Sequence, residues 1–223
     1  KTPGEQQVVV GGVKSGQVNR KSWMDKTRNV DVFDIKSDTL RTLVELGLDE
    51  KNIFVSDLTK TSYHPGRSGS IFFKSEKGPH LAYFGELHPA ILKKLDFKDK
   101  NIFGFEIFLK DIPQSNKKMR QTKSQYKVSD FQKSERDFAF VIDKSFKMGL
   151  LENLIKKVDE NIIKKVIIFD VYEGENIPKE KKSVAVNVVL QSLDKTLSEK
   201  DLDQVSQKII ETVKEKTGAI IRS

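Results

Sequence analysis

The clearest pattern lies in the C-terminal half, where apolar positions switch repeatedly between a period of two and a period near 3.6. Residues 136–142 alternate, with Phe138, Phe140 and Ile142 on one face, and predict a strand. Residues 147–155 carry helical spacing through Met148, Leu151, Leu154 and Ile155. A second strand is expected over 166–172. A turn rich in Gly, Asn and Pro over 174–178 then leads into a third strand over 182–191. Ser198, with Asp201 three residues on, is a good N-cap for a helix with the stripe Leu202, Val205, Ile209, Ile210 and Val213. Gly218 suits its C-terminal end, and residues 219–222 supply a last short strand. The order is βαββαβ, the ferredoxin-like arrangement, with one four-stranded sheet and both helices on the same face.

That arrangement leaves the other face of the sheet open, and strand parity says what lies on it. Val184, Val186, Val188 and Leu190 form an unbroken apolar row that must meet the helices, so Ser183, Ala185 and Asn187 face outward. On the second strand Ile167, Phe169 and Val171 are assigned to the core. Asp170 and Tyr172 then join Ser183 on the open face. A ring, a carboxylate and a hydroxyl on one sheet face suit a flat ligand, and a base of single-stranded RNA is the leading candidate. A purely structural reading stands beside it: Tyr172 shelters neighbouring strand surface and Asp170 pairs with a lysine. Fold alone does not choose between them.

The N-terminal half reads as an antiparallel-rich α+β domain. Strands are expected over 7–12, 30–35, 70–74, 81–85 and 103–109, and helices over 39–46 and 89–95. Residues 111–128 are polar, basic and without apolar period, the mark of a connection between two domains. Lys117, Lys118, Arg120, Lys123 and Lys127 are within reach of a phosphate backbone in principle, but a solvated connector is the expected role.

Composition narrows the classes. At 223 residues, 37% hydrophobic and 32% charged, the chain is long enough for real cores and reads as a soluble protein. It has no apolar run of membrane-spanning length and no signal-peptide pattern, so the cytoplasm is the expected compartment. The first residue is Lys1 rather than methionine, which suggests a piece of a longer polypeptide. Zero cysteines exclude disulfides and cysteine-bound metals, and three scattered histidines do not suggest a zinc site. The net charge of +8 is uneven: residues 1–126 hold 22 basic against 15 acidic side chains, and residues 127–223 hold 18 against 17. Such an excess tolerates a polyanionic partner without establishing one.

Catalytic chemistry is hard to find. Glu86 and His88 are two apart and can share a strand face, with His64 and Arg67 as further candidates. Pro89 follows His88 at once, however, and a His-Pro pair at a strand-to-helix junction more often caps and turns the chain. His64-Pro-Gly-Arg-Ser reads as a turn. There is no phosphate-binding Gly loop, no Gly-x-Ser-x-Gly elbow and no metal-ligand spacing.

Taken in order, Trp23, Asp31-Val-Phe-Asp-Ile-Lys, His64-Pro-Gly-Arg-Ser, Gly85-Glu-Leu-His-Pro, Arg136-Asp-Phe, Phe169-Asp-Val-Tyr-Glu-Gly, Lys182-Ser and Thr196-Leu-Ser resemble the bacterial phenylalanyl-tRNA synthetase β-subunit family, in its C-terminal portion. The resemblance runs from about residue 6 to residue 222. One departure is Gln132, where the family usually has proline. It implies a class II synthetase-like antiparallel sheet domain over residues 1–125, catalytically silent and packed against other subunits. A ferredoxin-fold anticodon-binding domain would follow over residues 126–223. Nothing here resembles the Gly-x-Gly-x-x-Arg segment with which active class II domains hold ATP. The family's α subunit does the chemistry with ATP and Mg, within an (αβ)₂ assembly that contains a second αβ pair, and no membrane is involved. Asp170, Tyr172 and Ser183 match the positions that receive the anticodon of tRNA(Phe). Tyr172 would stack on the first anticodon base, Asp170 would accept from guanine and Ser183 would add a hydrogen bond. The alternatives are a fragment of a single-chain synthetase, which the missing arginine signature disfavours, and a ferredoxin-like regulatory module for small amino-acid effectors. Editing, associated with the β subunit, would lie upstream of this chain.

Overall fold

Two hydrophobic cores organise the chain, one in each of two units, Lys1–Ser124 and Gln125–Ser223. The structure, a computed structural model, describes residues 4, 6–24, 26–97, 101–113 and 128–222. The five basic residues 117, 118, 120, 123 and 127 lie outside the described residues.

In the first unit β1 (Val9–Ser15), β2 (Ile53–Ser56), β3 (Tyr63–Phe73), β4 (His80–Leu87) and β5 (Ile102–Phe108) form one antiparallel sheet in the spatial order β1-β5-β4-β3-β2. Helices α1 (Val32–Glu45) and α2 (Pro89–Lys94) accompany it. Ile35 and Leu43 of α1 are buried with Ile71, Leu81 and Ile107 of the sheet.

Residues 30–35 differ from the expected strand, because α1 begins inside them. The Asp31 carboxylate accepts the N–H groups of Phe33 and Asp34, and the Asp34 carboxylate accepts the Asp31 N–H. This reciprocal cap fixes the helix start. Arg28 clamps Asp34 at 2.7 Å and holds its carboxyl down at about 2. A short apolar run is ambiguous between strand and helix, and here the cap decides. Residues 64–67 also differ from a simple turn. They interrupt the long strand β3, where the β3–β4 register slips between Tyr63 and Ser68. Pro65 has no N–H to give a ladder, which suits the slip. The four-residue β2 lies outside the expected strands, because Ile53-Phe54-Val55 is too short an apolar run to specify one.

In the second unit β6 (Ser134–Asp143), α3 (Met148–Lys156), β7 (Ile163–Tyr172), β8 (Lys181–Leu190), α4 (Glu199–Thr217) and β9 (Ile220–Ile221) give a sheet in the order β7-β8-β6-β9. Val184, Val186, Val188 and Leu190 are fully buried in one core with Leu151 and Ile155 of α3 and Leu202, Val205, Ile209 and Val213 of α4. Both helices therefore cover one face. Ser198 and Asp201 form the expected capping box. Hydrogen bonds from Ser198, assisted by Lys195, hold the Asp201 carboxyl at about 2. Gly218 closes α4 with φ 67°, a left-handed conformation that glycine adopts without a Cβ clash. Among the described residues no helix is long and apolar enough to cross a membrane.

Candidate nucleic-acid interface

Strand β8 is central, so its outward side chains have a neighbour on each side. Ser183 lies between Val141 and Tyr172, Ala185 between Ala139 and Asp170, Asn187 between Asp137 and Ile167, and Val189 between Glu135 and Lys165. Residues paired across antiparallel strands share a face. The open face is therefore a grid with Asp170 and Tyr172 on its β7 edge and small side chains in its middle. Ala139 and Ala185 keep that floor low.

The structure brings Asp170, Tyr172 and Ser183 together, but not by simple alternation. Ile167 pairs with Asn187 on the open face, while Val166 and Ile168 pair with Val188 and Val186 on the core face. Continued alternation would turn Asp170 and Tyr172 into the core. Instead the register slips between Ile168 and Asp170, leaving Phe169 without a partner on β8. This bulge reverses the parity of the strand beyond it. The assignment of Ile167 and Phe169 to the core is thus corrected: Ile167 faces outward and Phe169 is 57% exposed. Val171 keeps its place opposite Val184, although it is itself exposed at the strand end.

The tyrosine has a defined seat. A Cβ on Gly174 would fall 2.5 Å from Tyr172 Oη and 2.7 Å from Cζ, so the ring end lies directly against the Gly174 backbone. Tyr172 is 44% exposed there, whereas Ser183 beside it is 7% exposed. The surrounding rim is braced. Lys144 pairs with Glu173 at 2.8 Å, and its N–H donates to Glu180 O. Lys182 Nζ donates to Lys144 O at 2.7 Å and Phe146 O at 3.1 Å. The turn after β6 and the loop between β7 and β8 are thereby tied together next to Tyr172.

A further polar group shares the face. The Asn187 amide donates to Asp137 at 2.8 Å and to Glu135 at 3.2 Å. Alternation along β6 already sets Glu135 and Asp137 opposite Phe138 and Phe140, so they are findable from sequence once the core row is known. Asp170 adds another acceptor, giving a surface that favours ligands rich in N–H donors.

The first unit shows no comparable assembly around its histidines. His88 Nδ1 accepts the Ala90 N–H at the start of α2, and His64 Nδ1 accepts the Gly66 N–H. Glu86 is buried and ion-paired with Arg67, which donates from Nη2 to Oε1 at 3.0 Å. These residues do structural work. Among the described residues, no three His, Cys, Asp or Glu side chains gather as a metal site would need.

Comparison with known proteins accounts for both units. Residues 1–109 match the family described as phenylalanyl tRNA synthetase beta chain CLM domain. Residues 129–222 match the ferredoxin-fold anticodon binding domain. The phenylalanine–tRNA ligase beta subunit of Bartonella quintana is 40% identical over 225 aligned residues, covering 99% of this chain. That of Paramagnetospirillum magneticum is 36% identical, and that of Mesorhizobium japonicum 34%, over 99% and 98% of the chain. The chain belongs to the phenylalanine–tRNA ligase β-subunit family. It spans 28% of the Bartonella relative and 27% of the other two. In this family context the βαββαβ unit is the anticodon-binding type of ferredoxin fold, and its open face is the surface that the helices leave free.

Proposed function

We propose that this chain is the portion of a phenylalanine–tRNA ligase β subunit that receives the anticodon of tRNA(Phe) and helps hold the enzyme together. The observation that carries this reading is the meeting of the exposed Asp170 and Tyr172 with the largely covered Ser183 on one braced sheet face. Tyr172 stacks on the first anticodon base, a contact worth about 1–3 kcal/mol for an unpaired base. Asp170 accepts from the N1–H and N2–H of guanine, a donor pair no other standard base presents on its Watson–Crick edge. Ser183 contributes a hydrogen bond beside it. Stacking supplies affinity and the carboxylate supplies identity.

Residues 126–223 are the anticodon-binding domain in this reading. Residues 1–125 are the catalytically silent, class II-like domain that packs against the α subunit in a cytoplasmic (αβ)₂ enzyme. ATP and Mg supply phenylalanine activation in that enzyme.

Binding of the anticodon stem-loop of tRNA(Phe) to the assembled ligase tests the proposal. Tyr172→Ala should weaken binding roughly five- to a hundred-fold. Asp170→Asn should erase the preference for guanine over adenine at the first position. Wild-type binding by both variants would sink the reading, and aminoacylation by this chain alone would favour the single-chain synthetase instead.

A further inference from the structure

Residues 16–19 and 27–30, between β1 and α1, pair as the stalk of a hairpin. Gln17 and Asn29 form an antiparallel bridge, the Val18 N–H donates to Arg28 O at 3.0 Å, and the Val30 N–H donates to Gly16 O at 2.9 Å. Thr27 Oγ1 adds a hydrogen bond to Asn19 O at 3.0 Å. At the tip stands Trp23, the chain's one tryptophan, 94% exposed, with Met24 exposed beside it. Arg20, Lys21 and Lys26 flank Trp23 in sequence and are exposed. Among the described residues no carboxylate pairs with these three, whereas Arg28 at the base is engaged by Asp31 and Asp34.

An indole held in water forgoes a large burial gain and marks a contact surface. The flanking residues say which kind. Protein–protein interfaces favour aromatic, Met and Arg side chains but are depleted in lysine, and here Lys21 lies two residues before the ring and Lys26 three after it. An exposed ring in a tip that carries three cations against one carboxylate, Asp25, in sequence offers what unpaired nucleotides require: a stacking platform and partners for phosphates. The ladder below the tip holds the two ends of the tip together.

We propose that this hairpin tip is a second RNA contact, in which Trp23 stacks on an unpaired base while Arg20, Lys21 and Lys26 engage the adjoining phosphates. The proposal rests on the reading of the protein as a tRNA-binding subunit, but it uses none of the residues of the sheet face.

Binding of tRNA(Phe) to the assembled ligase over a salt series tests it, with Trp23→Ala, Trp23→Phe, the triple variant R20Q/K21Q/K26Q and, in parallel, Tyr172→Ala. Trp23→Ala should loosen binding about five-fold or more, and Trp23→Phe should recover most of the loss. The triple variant should reduce the slope of log K against log salt by about two. A photo-cross-linker at position 23 should attach to RNA. All four positions of the tip are exposed, so melting temperatures should stay at the wild-type value. Wild-type affinity and slope in the tip variants, with the cross-link landing on protein, overturns the proposal and makes the tip a protein contact. If Tyr172→Ala weakens binding and the tip variants do not, the hairpin proposal fails while the anticodon reading stands. The converse pattern removes the anticodon face and keeps the hairpin.

Discussion

Gly174 governs where the Tyr172 ring lies, because any side chain at that position would occupy the space of the ring end. Gly174→Ala is therefore expected to push Tyr172 off its seat. The result should be anticodon stem-loop binding weakened in the same direction as Tyr172→Ala, with little change in melting temperature, since both residues are exposed. Binding at the wild-type level would show that the seat is irrelevant to the ligand. Phe169 departs from its chemistry at the same scale. Its place in an apolar strand reads as core, yet it is the unpaired residue of a bulge and is largely exposed. No local feature of Ile168-Phe169-Asp170 marks the slip. It exists because β7 must follow the ladder of β8.

Elements in the first unit depend on caps and on one awkward histidine. α1 is set by Asp31, Asp34 and Arg28, a signal present in the sequence but masked by Val30, Val32 and Ile35, which also fit a strand. His80 opens β4 among Phe72, Tyr83 and Phe108, and its Nε2 is buried without a hydrogen-bond partner. Burial pushes its pKa below the ordinary 6.5, with the Asp111 charge pulling weakly the other way. The unfolded chain therefore takes up this proton more readily than the folded one. The contribution to stability is complete above about pH 6.5 and is lost as the pH falls below it toward the depressed folded value. His80→Phe should flatten the fall in melting temperature between about pH 7 and pH 5. An unchanged pH profile would show that His80 is not the group responsible.

At the scale of the whole chain, the two cores are separate sets of residues, so damage to one should be read in its own unit. Phe140 is fully buried in the second unit and its ring stacks on Phe138 at 5.9 Å. Phe140→Ala should cost about 3–5 kcal/mol there. In hydrogen-exchange measurements, protection should collapse in β6, β7 and β8 and persist in β3, β4 and β5. Equal loss in both units would contradict independent cores. The sequence by itself determined the βαββαβ order, the apolar row of β8 and the capping box of α4, because periodicity and caps are local chemistry. Tertiary structure decided what local chemistry cannot: the bulge that turns Asp170 and Tyr172 outward and the Asn187 link to Asp137 and Glu135. Each depends on which strand or helix lies alongside. A side chain's face is set by the ladder it joins and by the core it must fill, not by its own neighbours in sequence.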